Sequence, residues 1–285
     1  MAGLVEKMIV TDIDGTLAHK DHIPAEVAKT CILLKEDGWS FHVATGRILK
    51  AALPHALRIG ALSPAIVYDG ARLMDLEKST AIREASLGGD VLSMALASVW
   101  DAPVMLQLFS DERIRCRPGD VRVAEYFRSI GIPVTQDLVS PDVGDGYFRG
   151  IAYGAPKDIQ EVRRTVEKAL GDRATLTMAG DSFLDILPPG VSKGAALDWY
   201  LESLPEQRRV IVAVGDHLND KDLLERADIA VSMEDAPLEI RRVADILLPP
   251  ASEGGFRKLA DYLRDENFVR GKIPAKRNRE RGNVM

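Results

Sequence analysis

Two aspartates separated by one residue, with a glycine immediately after, follow an apolar run: Met8-Ile9-Val10-Thr11-Asp12-Ile13-Asp14-Gly15-Thr16. Met8 to Val10 reads as a buried strand of a parallel sheet, and alternate residues of extended chain point the same way. Asp12 and Asp14 then repel each other unless a cation or a shared proton relieves them. The glycine lets backbone come close to a ligand. Such a site does metal-assisted chemistry, with one carboxylate attacking and the other handling a proton. The same residues also spell an ordinary turn; what weighs against that is how the other strands end.

The segment Trp39 to Ala44 ends in Thr45-Gly46-Arg47, and Ala65 to Tyr68 ends in Asp69-Gly70-Ala71. Val210 to Val214 ends in Gly215-Asp216-His217-Leu218-Asn219-Asp220. Open parallel sheets bind ligands outside the carboxyl ends of their strands, so these ends converge on one place. Asp216 and Asp220 join Asp12 and Asp14 in an oxygen-rich set that suits Mg2+, or else they cap the following helix. Thr45 and the amides beside it hold phosphate oxygens at a helix start, or Thr45 is a plain N-cap. Lys193, in Gly190-Val191-Ser192-Lys193-Gly194, opens a helix where the macrodipole disfavours a cation. It faces water, or an acidic cluster nearby makes it the partner of a nucleophile and of phosphate.

The elements that must position these residues alternate strand and helix in the first portion of the chain. Met8–Thr11, Trp39–Ala44 and Ala65–Tyr68 read as strands, and Pro24–Asp37 and Arg47–Arg58 as helices, the second disturbed by Pro54. The pattern changes from about residue 82 to 188. There, helices at Gly89–Val99, Val121–Ile130 and Lys157–Leu170 alternate with strands at Pro103–Phe109, Arg113–Cys116, Tyr147–Tyr153, Thr175–Met178 and Ser182–Leu187, an α+β insert with an antiparallel sheet. The alternation then resumes with helices at Ser192–Leu204, Asp220–Arg226, Pro237–Ala244 and Gly254–Arg264 around strands at Val210–Val214, Ile229–Val231 and Ile246–Leu248. The fold class is therefore α/β: a doubly wound parallel sheet interrupted by an inserted α+β unit.

At 285 residues, 46% hydrophobic and 28% charged, the chain is an ordinary globular protein. A net charge of -6 argues against a general nucleic-acid binder, but not against a small anionic substrate, because a bound cation inverts the local field. Cys31 and Cys116 stand far apart with no metal-ligand spacing, which excludes a zinc framework and fits a reducing compartment. No segment has the apolar length of a membrane span and no leader is evident, so a cytoplasmic location without membrane partners is expected. Residues 269–285, with Lys272, Lys276, Arg277, Arg279 and Arg281, read as a basic, solvated, disordered tail.

Four motifs in order resemble the haloacid dehalogenase superfamily, specifically its Cof-like phosphatases with a type IIB cap: Asp12-Ile13-Asp14-Gly15-Thr16-Leu17, Ala44-Thr45-Gly46-Arg47, Val191-Ser192-Lys193-Gly194, and Gly215-Asp216-His217-Leu218-Asn219-Asp220. Ser252-Glu253-Gly254-Gly255-Phe256 also resembles that family's closing region. The resemblance implies a Rossmann-like catalytic core from residues 1–81 and 189–268, and a cap from 82–188. It implies a Mg2+-dependent phosphatase acting on a small phosphorylated metabolite such as a sugar phosphate. Asp12 would form an aspartyl-phosphate, and Asp14 would protonate the leaving oxygen and then activate water. Thr45, Gly46, Arg47, Lys193 and Asn219 would bind the phosphoryl group. Asp12, Asp14 through its backbone carbonyl, and Asp216 would hold Mg2+, supported by Asp220.

The superfamily's dehalogenases lack an acid at the place of Asp14, so its presence points to phosphoester chemistry. Arg113, Arg115 and Arg149 of the insert are either substrate contacts or solvated cap residues. A phosphosugar mutase is the alternative enzyme; a non-catalytic phospho-ligand binder is disfavoured by the full set Asp12, Asp14, Lys193, Asp216 and Asp220. Two departures stand out: Asp69-Gly70 where the family often has Asn-Gly, and Glu234-Asp235-Ala236 where it often has Gly-Asn-Ala. Both are expected to add negative charge near the mouth of the site and to disfavour highly anionic substrates.

Overall fold

The computed structural model describes residues 5–111 and 113–265; the basic tail 269–285 lies outside the described residues. The first part of the chain forms β1 (Glu6–Thr11), α1 (Ala25–Glu36), β2 (Trp39–Val43), α2 (Leu49–Ile59) and the small strands β3 (Ala65–Val67), β4 (Arg72–Asp75) and β5 (Thr80–Glu84). Then come α3 (Gly89–Ser98), β6 (Met105–Ser110), β7 (Arg113–Cys116), α4 (Val121–Ser129), β8 (Val134–Thr135), β9 (Arg149–Tyr153), α5 (Pro156–Leu170), β10 (Thr175–Met178) and β11 (Phe183–Leu187). The last part contains α6 (Lys193–Ser203), β12 (Arg209–Val214), α7 (Lys221–Arg226), β13 (Ile229–Met233), α8 (Leu238–Arg241), β14 (Ile246–Leu248) and α9 (Leu259–Leu263).

The apolar runs pair as a five-stranded parallel sheet in the order β14-β13-β12-β1-β2. β3 continues from β2 through a parallel bridge between Ala44 and Ile66 and folds with β4 and β5 into an antiparallel meander. Helices cover both faces, which is why the central strands are apolar at consecutive rather than alternate positions. Ile9, Val212 and Val231 pack on one face with α1 and the closing segment around Phe256 and Leu259. Met8, Val10, Ile211 and Ala213 pack on the other with Leu197, Leu223 and Leu224. Each such aliphatic side chain contributes about 1.5–3 kcal/mol on burial. Cys31 is buried in the first of these layers, and burial pushes its thiol up to about 12, so it acts as a core residue.

The cap is a six-stranded sheet, β10-β11-β9-β6-β7-β8, antiparallel except for the β7–β8 pair. Its outer face, with Leu106, Leu108, Ala152, Leu184 and Ile186, packs on α3 and α5. The register sets Phe109 beside Arg149, Gln107 beside Ile151, and Phe183 beside Tyr153. Alternate residues share a face, so these side chains turn together away from the helices.

Several elements differ from the expectations in detail. α2 starts at Leu49 rather than Arg47, because Ile48 is still extended (ψ 157). It runs through Pro54, which sits on its exposed side. The helix expected over Pro237–Ala244 shortens to Leu238–Arg241, and the closing helix begins as a 3-10 turn over Gly255–Lys258. Strand β8, only two residues long, has no alternation by which to be foreseen. Phe256 is fully buried between that turn and α1. Phe256→Ala is expected to lower stability by about 3–5 kcal/mol in urea unfolding, through lost transfer energy and a cavity.

Candidate active site

β1 and β12 are neighbours with Thr11 opposite Val214. The register therefore places the next residues, Asp12 on one side and Gly215-Asp216 on the other, at one point above the sheet. The 3-10 turn Leu218–Asp220 and the start of α6 close around it. One carboxylate oxygen from each of Asp12, Asp216 and Asp220 lies within 4.8 Å of the others. Into this cluster comes the Lys193 ammonium, 2.7 Å from Asp12 Oδ1 and 2.7 Å from Asp220 Oδ1, with the lysine only 1% exposed. Ser192 caps α6 by accepting from the Ala195 amide, so Lys193 is free to turn inward.

The electrostatics are unbalanced toward negative charge. Burial alone would discharge Lys193, but Asp12 and Asp220 outweigh it and push its pKa well above the ordinary lysine value. Burial raises the Asp12 carboxyl well above the usual range; Lys193 pulls it down, and Asp220, Asp216 and Asp14 push it up. Asp216 is pushed up to about 7 by burial and Asp220, against the hydrogen bond it accepts from Thr16 Oγ1 at 2.9 Å. One lysine does not neutralise this cluster. An all-oxygen donor set of this kind fits a hard divalent cation. Asp220 is the least available donor, since its Oδ2 already accepts from the amides of Asp216 and His217 at 3.0 and 3.1 Å. Gly15 is required here: its φ is +77°, and a Cβ would stand 2.3 Å from Asp216 Oδ2.

Asp14 leaves the direction of Asp12. The extended conformation ends before it and Gly15 turns the chain, so the alternation rule stops applying. Its side chain is 57% exposed and grips Arg47 with both oxygens, Oδ1 to Nη2 at 2.5 Å and Oδ2 to Nε at 2.7 Å. Arg47 Nη1 also donates to Asp21 Oδ1 at 2.6 Å. Thus Arg47 meets two carboxylates, and the Asp14 carboxylate stands outside the Asp12–Asp216–Asp220 group. Thr45 is buried beside it, but not as a helix cap: its Oγ1 accepts from the Arg47 amide at 3.2 Å, within the loop that precedes α2.

Arg149 is a cap residue that reaches the core. Its guanidinium donates to Asp185 Oδ1 at 2.6 Å and to the Gly46 carbonyl, and lies 3.5 Å from Asp69 Oδ2. Asp69 also accepts from Asn219 Nδ2 at 2.9 Å. Tyr68 and Asp69 both have φ of 52°, an uncommon left-handed pair. Gly70 follows at φ +102°, where a Cβ would meet the Ser192 carbonyl at 2.2 Å. The close approach of this turn to α6 is what sets Asp69 under the site. Asp69 is thus buried and ion-paired rather than at the mouth, while Glu234 and Asp235 are exposed and do not line the cavity. Burial pushes Asp185 up to about 6 against the pull of Arg149.

A cavity of about 710 Å³ lies between the cap sheet and these strand ends. Asp12, Asp14, Thr45, Gly46, Arg47, Asp216 and Asn219 line its floor. Lys193 lies beneath, touching Asp12. Arg149 lines the cavity; Arg113 and Arg115 do not, and Arg115 is held by Asp137 and the Tyr147 hydroxyl. The sequence reading missed the roof: Gln107, Phe109, Tyr126, Phe127, Ile151, Tyr153 and Phe183. The signal was there in Arg149-Gly150-Ile151-Ala152-Tyr153, where large residues alternate with small ones. It also missed His217, whose Nδ1 is 3.2 Å from the Gly180 amide and 3.1 Å from the Met178 carbonyl, tying the β10–β11 turn to the floor.

The fold and this constellation define a hydrolase class, and the comparisons agree. The profile of the haloacid dehalogenase-like hydrolases matches residues 9–259, and the chain belongs to that family. The chain is 28% identical over 244 residues to the HMP-PP phosphatases of Shigella flexneri serotype 5b and of Escherichia coli O6:H1, covering 82% of this chain and 86% of each relative. A haloacid dehalogenase-like hydrolase from Bacteroides thetaiotaomicron superposes with a TM-score of 0.75 at 20% identity, over 90% of this chain and 99% of that one. A HAD subclass IIB sugar phosphatase gives a TM-score of 0.75 at 18% identity, over the same 90% and 99%. Among the described residues, no helix is long and apolar enough to cross a membrane.

Lys193→Met leaves Asp12 and Asp220 without their cation. In the absence of divalent ions it is expected to cost about 3–5 kcal/mol of stability near neutral pH. Carboxylates whose pKa is raised by folding lose stability as pH rises, because the unfolded chain gives up its protons first. The deficit measured by urea unfolding should therefore be larger at pH 8 than at pH 5.

Proposed function

We propose that the protein hydrolyses a small phosphorylated metabolite, with Asp12 as nucleophile and Mg2+ as cofactor. The observation that carries this reading is the Lys193 ammonium buried between Asp12 and Asp220 directly below a cavity large enough for a metabolite. Asp12 Oδ1 is held by Lys193, which fixes the carboxylate that would attack phosphorus to give an aspartyl-phosphate. Thr45, Asn219 and Lys193 surround the place where the phosphoryl group would sit. Asp12 and Asp216, with the Asp14 main-chain carbonyl and Asp220 behind them, would hold the cation. When bound, the cation supplies positive charge that keeps Asp12 ionised and offsets the charge of the equatorial phosphoryl oxygens.

Asp14, at the cavity edge, would give its proton to the leaving oxygen and then take one from the water that hydrolyses the intermediate. Arg47 holds both of its oxygens, so one of those hydrogen bonds has to be exchanged for each transfer. Arg47 in this arrangement orients Asp14 rather than phosphate. The cap excludes bulk water from the intermediate during turnover. HMP-PP and a sugar phosphate belong to the named relatives; for this chain the reading is a phosphomonoester that fits the cavity.

Asp12→Asn should reduce phosphate release at least about a thousandfold on every substrate turned over by the parent, with an unchanged far-ultraviolet circular dichroism spectrum. Equal release by the two proteins would exclude Asp12 as nucleophile. Asp216→Asn should abolish the rise in melting temperature that millimolar Mg2+ gives the parent protein. A parent protein insensitive to Mg2+ in both melting and turnover would remove the cation from the reading.

A further inference from the structure

We infer that the cavity selects phosphomonoesters whose leaving group is uncharged and presents a flat, apolar face. The inference rests on the phosphatase reading above and deepens it. Two observations carry it independently.

The first is the absence of an available cation. Among the described residues lining the cavity, the cationic side chains are Arg47 and Arg149. Arg47 is shared by Asp14 and Asp21, and Arg149 by Asp185 and Asp69. Each already faces two carboxylates, so neither is free to meet a second phosphate or a carboxylate on the leaving group. A substrate with a second anion would bury it against committed cations and the acidic floor, which is costly.

The second is the wall itself. Phe183 and Tyr153, adjacent across β11 and β9, stack with centroids 4.9 Å apart and planes 21° from parallel. Phe183 remains 39% exposed although it is a large apolar ring at the cavity. On the α4 side, Phe127 packs edge-on to Phe109 at 5.9 Å and to Tyr126 at 5.1 Å. Ile151 lies on the same face of the cap sheet as Tyr153. The polar side chain between them, Gln107, donates to the buried Asp120 at 3.1 Å. A sugar's hydroxyls need several polar partners, whereas, beside Gln107 and the hydroxyls of Tyr126 and Tyr153, this roof offers ring faces and an aliphatic side chain. Flat apolar surface pairs best with such rings.

The test compares esters of primary alcohols, so that leaving-group chemistry is matched. Initial rates with Mg2+ are measured for 2-naphthylmethyl phosphate, ethyl phosphate, glucose 6-phosphate and fructose 1,6-bisphosphate. The expected result is a kcat/KM for the naphthylmethyl ester about tenfold or more above that for glucose 6-phosphate, with the bisphosphate lowest. Phe183→Ala, at a partly exposed position, should lower kcat/KM for the naphthylmethyl ester by about tenfold and for ethyl phosphate by much less. Glucose 6-phosphate or the bisphosphate equalling the naphthylmethyl ester would overturn the inference and leave the phosphatase reading standing. Equal losses on all esters in Phe183→Ala would do the same. No turnover of any ester above the Asp12→Asn background would overturn the phosphatase reading and this inference with it.

Discussion

The structure depends on one buried cation. Lys193 enters from the first residue of α6, where the helix dipole opposes it, and ends in a space closed to water. An isolated ammonium in such surroundings would lose its proton. It stays charged because Asp12 and Asp220 each stand 2.7 Å away, and they in turn tolerate burial because of it. Asp12 and Lys193 are 181 residues apart in the chain. A sheet in which β1 and β12 lie side by side, with α6 starting above their carboxyl ends, brings them together. In the proposed reading, the strand order is thus the means by which the nucleophile acquires a fixed counter-charge. The acidic excess that remains is the physical reason a divalent ion is proposed there.

A second constraint ties the cap to that centre. Arg149 belongs to the cap sheet, yet it donates to the Gly46 carbonyl and faces Asp69 of the core. Asp69 holds Asn219 and lies 4.0 Å from Lys193. The position of the cap is therefore felt, through this guanidinium, by the loop carrying Thr45 and by the residues around Lys193. Asp69 has its explanation here: it supplies one of two carboxylates around the largely buried Arg149 guanidinium. A charge expected to colour the entrance instead contributes to a closed core–cap contact.

How much was legible in the sequence followed the range of the interactions involved. The strands Thr175–Met178 and Ile246–Leu248 have the bounds that their composition implies, because local β-branched and apolar runs decide them. The helix α2 starts two residues later than the sequence pattern predicts, where Arg47 turns away to Asp14 and Asp21 and Ile48 is still extended. Lys193 stood between two readings, solvated or buried, and nothing within several residues of it distinguishes them; the carboxylates that decide it come from elsewhere. Arg149 looked no different from Arg113 and Arg115 by composition. Only the register of β9 against β6 and β11 turns it toward the core, while Arg115 is drawn aside to Asp137.

The two aspartates of the opening motif show why spacing alone does not assign roles. Extended geometry would aim both at one point, but β1 ends at Thr11, Ile13 is already in a turn, and Gly15 turns the chain at φ +77°. Asp12 is buried, held by an amine that cannot leave, and surrounded by acids. Asp14 is more than half exposed and held by a guanidinium that is itself shared with Asp21. In the proposed reading Asp12 is the nucleophile, which has to keep one orientation, and in the first environment Lys193 holds it there. A proton carrier has to trade hydrogen bonds with the leaving group and with water, which only the second allows. Two identical side chains two residues apart are thus given different surroundings, each suited to the task proposed for it, and the turn at Gly15 is where that division is made.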